Sequence, residues 1–358
     1  MDSDKTWLGS SMKVPSVQEL VKGNPAASVP ARYIRPDQDP PSSISDSSSW
    51  REIPVIDMQR LLSAGDLPMN SELQKLDSAC RDWGFFQLIN HGVKSSLVEK
   101  VKVDIEEFFK LPKEEKDKFA QKEGEIEGFG QAFVISEEQK LDWADMFYMV
   151  TQPTSFRKPH LFPNFPLPLR EDLEEYLGQV RNLVMEILKQ MAKALGMQVE
   201  DMNIVFEDGR QGMRMTYYPP CPQPELVMGF CPHSDAGGLT ILLQVNEVQG
   251  LQINKDGAWI PIVPLPNAFI VNIGDSLEIV TNGIYKSVEH RAVVSKHKER
   301  LSMAAFHSPK AEGNLGPAPS LITPQTPPKF KTISVADFAR GFLARQLLGK
   351  SYLDSLKI

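Results

Sequence analysis

The spacing of apolar residues changes near Gly209 from a helical to a strand-like pattern. Before this glycine, the pattern predicts a short strand at Ile53, a helix over 71–84 and a helical block over 95–121. A longer helix is predicted over 170–195, because its apolar residues recur mostly at steps of three and four. The first part of the chain is therefore expected to be mainly helical.

Beyond Gly209 the apolar runs become short, and turn-forming pairs such as Asp256-Gly257 and Asn282-Gly283 separate them. The runs are MRMTYY, LTILLQV, GLQIN, AWIPIV, AFIVNI, KSVEHRAVV and RLSMAAFH. Many short strands at this spacing predict an antiparallel sandwich or a jelly roll. A final helix is predicted to begin at Ser334.

These patterns divide the chain into five parts. A lead that ends in a Pro/Ser/Asp-rich stretch cannot bury much apolar surface, so 1–52 is predicted to be an extension and linker. A helical N-terminal region over 53–165 and a supporting helix over 166–208 follow. The strand-rich core spans 209–310, and a C-terminal segment over 311–358 closes the chain.

Composition narrows the class of protein. The 358 residues are 41% hydrophobic and carry a net charge of −7 without a basic stripe, which argues against a nucleic-acid partner. The three cysteines form no CxxC pair and indicate a reducing compartment. No signal peptide and no apolar run of about 20 residues is present. We expect a cytoplasmic monomer that does not enter a membrane.

A His-x-Asp pair, His233 and Asp235, lies just before a predicted strand. It could be an ordinary polar pair at a strand end. Residues i and i+2 of a strand point to the same side, however, so both side chains can address one point. His290 lies 55 residues after Asp235 in another predicted strand and supplies a third ligand. Two histidines and one carboxylate form the facial triad typical of non-haem Fe(II) oxygenases.

The other histidines fit the third position less well. One lies at a strand end in the N-terminal region, one among prolines and one between lysines. The fourth ends a predicted strand and is the serious rival. In this order they are His91, His160, His297 and His307.

Arg300 and Ser302, in the sequence RLS, also share one face of a predicted strand. An exposed strand arginine is the ordinary alternative. An arginine fork beside a hydroxyl can clamp a carboxylate through charge-assisted hydrogen bonds. Ten residues after the last metal ligand, such a clamp suits the far carboxylate of a dicarboxylic keto-acid whose other end chelates iron.

Several stretches, in their order along the chain, resemble plant 2-oxoglutarate/Fe(II)-dependent dioxygenases. They are WGFFQLINHGV, YYPPCPQPE, HSD, GLQI, NAFIVNIGD, NGIYKSVEHR and RLSMAAF. The resemblance covers nearly the whole chain from about residue 13. Further stretches, such as VPSVQEL and LDWADMF, are similar to the subgroup of senescence-related oxidoreductases and the opium-poppy codeine and thebaine O-demethylases.

The resemblance implies a mainly β protein with helices. Its core would be a double-stranded β-helix (jelly roll), with a helical N-terminal region and a C-terminal helix. It implies that the His-x-Asp…His set binds Fe(II), that Arg300 and Ser302 bind 2-oxoglutarate, and that Tyr218 contacts the same carboxylate. The family usually has Asn-Tyr-Tyr where this chain has Thr216-Tyr217-Tyr218. Threonine has no amide donor, so this chain departs from the family at one keto-acid contact.

The resemblance also implies the reaction: O2 and 2-oxoglutarate are consumed, succinate and CO2 are released, and a small aromatic metabolite is hydroxylated or O-demethylated. Ascorbate would act as reductant.

Strand parity places Phe306 and Arg214 towards the site, and Phe129 and Phe133 are candidates for its mouth. These residues could equally belong to the core or the surface. An iron oxidase that does not use 2-oxoglutarate and a non-catalytic small-molecule binder remain alternatives.

Overall fold

The computed structural model describes residues 11–23, 28–36, 52–63, 71–122, 124–131, 134–343 and 351–358. The α-helices are α1 Val17–Gly23, α2 Met58–Ser63, α3 Ser71–Asp82, α4 Ser95–Lys110, α5 Lys113–Asp117, α6 Leu167–Leu195, α7 Val199–Phe206, α8 Asp275–Val280, α9 Val335–Leu343 and α10 Ser351–Asp354.

The strands alternate with turns and are short, as predicted for the second half of the chain. They are β1 Val55–Asp57, β2 Phe85–Ile89, β3 Gly128–Gly130, β4 Asp145–Gln152, β5 Arg210–Tyr218, β6 Phe230–His233, β7 Leu239–Gln244, β8 Leu251–Lys255, β9 Ala258–Pro261, β10 Phe269–Ile273, β11 His290–Ala292, β12 Arg300–Ser308, β13 Asn314–Leu315 and β14 Ile333–Ser334.

Two sheets form the jelly-roll core. The larger sheet has the strand order β1-β2-β10-β7-β12-β5-β4-β3, and the smaller one has the order β6-β11-β8-β9. Apart from the parallel β1–β2 pair, neighbouring strands in both sheets are antiparallel. The predicted fold class, a jelly roll with helices at both ends, is confirmed.

The larger sheet has a strict division of faces. Odd-numbered residues of β5 and β12, such as Met213, Met215 and Met303, are buried in one core cluster with the apolar stripe of α6. Even-numbered residues of the same strands face the other way and line the site. Because side chains alternate along a strand, the same strand register puts the odd-numbered side chains in the core and the even-numbered side chains at the site.

Helix α6 is the long predicted helix, and it begins three residues earlier than expected. Its apolar face, including Leu173, Val180 and Ile187, is almost fully buried. Gly196 follows the helix in the left-handed conformation, with φ of 64°, and its N–H closes the last turn. The buried stripe packs α6 against the core-facing side of the larger sheet, so the helix supports this sheet from outside.

The N-terminal segment packs more closely than a plain linker would. Asp145 of β4 is 1% exposed and accepts hydrogen bonds from the N–H groups of Val17 and Gln18 and from Ser16 Oγ. This carboxylate caps α1 from outside the helix. The Pro/Ser/Asp-rich stretch predicted as a linker runs from residue 36 to residue 50, and all of it after Pro36 lies outside the described residues.

The N-terminal region is less purely helical than predicted, since β4 is a strand of the larger sheet. The helix predicted to begin at Ser334 is α9, which begins one residue later, and the short helix α10 follows it. Ser334 Oγ accepts the N–H of Asp337 and donates to its carboxylate. Within the described residues, no helix combines the length and apolarity needed to cross a membrane.

Candidate active site

Three side chains converge at one end of the smaller sheet. His233 ends β6, His290 begins β11, and the two residues are directly paired across the strands. Asp235 follows β6, and its Oδ1 lies 3.6 Å from His233 Nε2 and 3.8 Å from His290 Nε2. In the described part of the chain, they form the one group of His, Cys, Asp or Glu side chains that could share a metal ion.

Both imidazoles are held with Nε2 towards this common point. His233 Nδ1 lies 2.8 Å from the carbonyl of Cys231, and His290 Nδ1 lies 3.1 Å from that of Val288. The Nδ1–H groups therefore donate to the backbone and leave Nε2 as the lone-pair nitrogen. His233 Nε2 is buried and has no hydrogen-bond partner among the described residues. A bound metal ion would provide a partner for the lone pair of this buried nitrogen.

The protonation states suit a metal site. Burial, followed by the neighbouring His290, lowers the pKa of His233 to about 3, so its ring is neutral at physiological pH. Burial acts to raise the pKa of Asp235, but the two histidines and the hydrogen bonds from Asn272 and Thr240 together outweigh it, and the pKa falls to about 2. A neutral imidazole and a carboxylate are the forms that bind a divalent metal.

The second oxygen of Asp235 is held from the larger sheet. Its Oδ2 accepts hydrogen bonds from Thr240 Oγ1 at 2.6 Å and Asn272 Nδ2 at 2.8 Å. These bonds orient Oδ1 towards the histidines. Sequence patterns alone did not identify either residue, although both have the strand parity of site residues.

A buried arginine lies on the larger sheet beside the triad. Arg300 is 2% exposed, and its cross-strand neighbour on β5 is Tyr218. Its guanidinium donates to Ser302 Oγ at 3.3 Å and to Gln244 Oε1 at 3.0 Å, and it lies 4.9 Å from the centre of the Tyr218 ring. The Nε has no partner among the described residues. Gln244 is a further contact that the sequence did not reveal.

The triad and the arginine open onto one cavity between the two sheets, the inner cavity, which measures about 490 Å³ with its opening to solvent. Burial lowers the pKa of Arg300, and an anion bound beside the guanidinium would offset that cost. Thr216 also lines this cavity and pairs with Ser302 across the strands. The donor set fits a ligand with one metal-chelating end and one distal carboxylate.

A second cavity, the outer cavity, continues outward from the triad. With its open mouth it measures about 1,070 Å³. Phe306 and Arg214 line both cavities. The Arg214 guanidinium carbon lies 4.4 Å from the centre of the Phe230 ring and 5.2 Å from that of Phe306. Helix α9 contributes an outer wall with Val335, Phe338, Ala339, Phe342 and Leu343.

Phe129, a candidate of the sequence analysis for the mouth of the site, does not lie there. Its ring packs in the core, 6.3 Å from the centres of both Phe108 and Phe109, and it does not line the outer cavity. Its odd position on β3 pairs it with Phe147 on the core-facing side of the sheet. Phe133 lies outside the described residues.

The rival histidine of the sequence analysis, His307, lies on the opposite face of β12. Its Nε2 is 3.1 Å from Gln211 Nε2, and the side chain is buried behind the sheet. Strand parity explains this placement, because odd residues of β12 point to the core. The fold therefore does not bring His307 to the triad.

The fold and the site together define a non-haem Fe(II) oxygenase. The sequence profile of the 2OG-Fe(II) oxygenase superfamily matches residues 209–309. The profile named for the N-terminal part of a non-haem dioxygenase in morphine synthesis matches residues 53–165.

Similar proteins agree with these matches. The oxoglutarate-dependent flavonoid 7-O-demethylase 1 of Ocimum basilicum is 56% identical over 98% of this chain and 93% of its own. The codeine O-demethylase of Papaver somniferum is 52% identical over 98% of both chains. The solved structure of JOX2 in complex with 2OG, Fe and JA aligns with a TM-score of 0.87 and 35% identity, over 97% of this chain and 98% of the other.

The chain belongs to the 2OG-Fe(II) oxygenase superfamily and is a 2-oxoglutarate/Fe(II)-dependent dioxygenase.

Proposed function

We propose specific roles for the side chains of the inner cavity. The proposed Fe(II) ligands are His233, Asp235 and His290. The proposed 2-oxoglutarate contacts are Arg300, Ser302 and Tyr218. The observation that carries this proposal is the convergence of three ligand atoms on one point, across the cavity from the buried Arg300 guanidinium. The atoms are His233 Nε2, which has no hydrogen-bond partner among the described residues, His290 Nε2 and Asp235 Oδ1.

When bound, Fe(II) and 2-oxoglutarate supply the oxidation: O2 is consumed, succinate and CO2 are released, and one substrate C–H bond is oxidised. The protein's own groups position these reactants. The backbone carbonyls of Cys231 and Val288 fix the imidazole tautomers, and Thr240 and Asn272 orient the carboxylate. Arg300 fixes the far end of the keto-acid, so its chelating end faces the triad.

We propose that the substrate is a small aromatic plant metabolite bound in the outer cavity. Phe306 offers a ring face beside the triad, and α9 closes the opposite wall with apolar side chains. The relatives that act on a flavonoid and on codeine support an aromatic substrate. Oxidation of a ring or alkyl carbon would give an alcohol, whereas oxidation of a methoxyl carbon would give a hemiacetal that loses formaldehyde.

The test is a panel of methoxylated and hydroxylated aromatics incubated with Fe(II), ascorbate and 2-oxoglutarate. Succinate formed in step with product is expected, and formaldehyde distinguishes O-demethylation from hydroxylation. Product formation without 2-oxoglutarate would instead indicate an iron oxidase. Binding of aromatics with no oxidation under any condition would indicate a non-catalytic binder.

We further propose that the protein acts as a cytoplasmic monomer and that ascorbate keeps its iron reduced. Cys80, Cys221 and Cys231 are buried and form no disulfide, which supports a reducing compartment. Light scattering at working concentration tests the monomer. Omitting ascorbate should shorten the period of linear turnover without changing the initial rate.

A further inference from the structure

The apolar wall that α9 gives to the outer cavity has a second contact on its far side. Helix α9 faces the cavity with one stripe of side chains, which includes Ala339. Gly341 lies two residues later, which is about 200° round a helix, so it faces nearly the opposite way. The ring of Tyr352, from α10, lies against α9 at this glycine. Gly341 therefore belongs to the back of the cavity wall and does not face a bound substrate.

Gly341 leaves a space that the Tyr352 ring fills. A Cβ atom at position 341 would overlap the Tyr352 hydroxyl oxygen and would lie 2.6 Å from Cζ and 2.7 Å from Cε2 of the same ring. Carbon atoms in contact are normally separated by about 3.5–4.0 Å. The ring can lie this close to the helix because residue 341 has no side chain.

The same ring packs behind two of the phenylalanines that line the outer cavity. The centre of the Tyr352 ring lies 5.4 Å from that of Phe338 and 6.4 Å from that of Phe342. Aromatic rings at such separations attract one another. Through these contacts, the position of Tyr352 is linked to the position of the cavity wall.

Tyr352 is carried by a segment that is anchored in the core. Its neighbour Leu353 is fully buried, and Leu356 is 7% exposed. The backbone is also paired, since the N–H of Lys331 donates to the carbonyl of Leu356 at 2.9 Å. Helix α9, in contrast, borders the open cavity on its other side. If the two elements were forced apart, α9 would therefore move, and its free direction is into the cavity.

We infer that Gly341 and Tyr352 together set the width of the outer cavity and thereby limit the size of the substrate. This inference rests on the proposed function of the cavity and adds a limit on its substrates. Both are positioning residues, because they act through Phe338 and Phe342. A side chain at position 341 narrows the cavity, whereas a shorter side chain at position 352 gives that side chain room without moving α9.

The test compares three methoxylated aromatics of different size: a methoxyphenol with one ring, a methoxynaphthol with two and a methoxyflavone with three. Each is titrated by calorimetry, without oxygen, into the protein loaded with Fe(II) and 2-oxoglutarate. Gly341→Ala should weaken methoxyflavone binding by about tenfold, because a cavity that is too narrow must be forced open. Methoxyphenol binding should hardly change, and methoxynaphthol binding should fall by an intermediate factor.

A second substitution assigns this effect to the contact with Tyr352. Tyr352→Leu shortens the side chain, so Gly341→Ala/Tyr352→Leu should regain most of the methoxyflavone affinity. Gly178→Ala is the matched control, because it makes the same change within α6 at a position where the added Cβ meets open space among the described residues. It should keep the wild-type affinities. Thermal unfolding and 2-oxoglutarate affinity close to those of the wild-type protein show that each variant is folded and that its inner cavity is intact.

An equal loss of affinity for all three probes in Gly341→Ala, or an unchanged affinity for methoxyflavone, would overturn the inference. A double variant that binds methoxyflavone as weakly as Gly341→Ala would do the same. The titrations require no turnover, so a methoxylated panel that yields no succinate would refute the proposed oxidation and leave a size-dependent loss as support for the inference. Failure of all three probes to bind the wild-type protein would overturn both.

Discussion

The inner and outer cavities differ in how they are built. In the inner cavity, every proposed ligand or clamp residue is buried and is held by neighbours on paired strands. The outer cavity is open to solvent, mainly apolar, and assembled from β4, the start of β5, the end of β12 and α9. We therefore propose that the inner cavity determines the reaction and the outer cavity determines the substrate.

The largest effect is expected at the triad. Replacing His233, Asp235 or His290 by alanine should abolish tight Fe(II) binding and turnover and leave the fold largely intact, because the three ligands converge on an open site. Metal content and thermal unfolding measure both effects. His297→Ala, at an exposed histidine, is the matched control.

Asn272→Ala refines this test. It removes a hydrogen bond to the carboxylate and keeps all three ligands, so iron affinity should fall by about 10- to 100-fold. Full activity in any of the three ligand variants would show that the triad is wrongly assigned.

The next effect is expected at Arg300. Arg300→Ala should weaken 2-oxoglutarate binding by about 2–5 kcal/mol, because the ligand carboxylate would remain buried without its partner. Arg300→Lys keeps the charge but loses the planar fork, so an intermediate loss is expected. Iron affinity should not change in either variant. An unaltered 2-oxoglutarate affinity in Arg300→Ala would reject the clamp and favour an oxidase that does not use 2-oxoglutarate.

The sequence predicted that most residues of the inner cavity lie close together, because these residues are closely spaced along the chain. His233 and Asp235 are two residues apart, as are Arg300 and Ser302, and strand parity places each pair on one face. Thr240, Gln244 and Asn272 were not predicted, because their contacts depend on which strands are neighbours. Cross-strand register is not encoded in any one stretch of sequence.

The outer cavity was harder to predict for a different reason. Strand β4 reads as a continuous apolar run, since Phe147 and Met149 face the core while Met146, Tyr148 and Val150 face the cavity. Without alternation, such a run has no period that identifies it as a strand. The prediction that Phe129 lies at the mouth was wrong, because its position on β3 turns the ring to the core.

A smaller effect is expected at α9, which the sequence predicted as a closing helix. Deleting everything from Ser334 onward would also remove Leu353 and Leu356, which are buried in the core, so point variants are the sharper test. Phe342→Ala/Leu343→Ala should lower turnover and the ratio of product to succinate, at nearly unchanged iron and 2-oxoglutarate binding. Two partly buried apolar side chains contribute about 1–2 kcal/mol, or about five- to thirtyfold.

Val103→Ala, at an exposed valine of α4, provides the control for this double variant. Wild-type turnover and coupling in Phe342→Ala/Leu343→Ala would mean that α9 neither holds the substrate nor excludes water from it. Loss of iron binding would place α9 in the support of the inner cavity instead.

The smallest effect is expected at Phe306, where the two cavities meet. Phe306→Ala removes the ring face beside the triad, and stacking contributes about 0.5–1.5 kcal/mol beyond apolar burial. Product formation should therefore fall by about two- to twelvefold from lost stacking. The 2-oxoglutarate affinity should change little, because Ser302 and Arg300 of the clamp lie four and six residues away on the same face of β12. Phe306→Leu keeps much of the volume without the ring, so it separates stacking from burial. If 2-oxoglutarate binding and product formation fell together, Phe306 would belong to the inner cavity; if every active substrate were turned over at the wild-type rate, the substrate would not touch this ring.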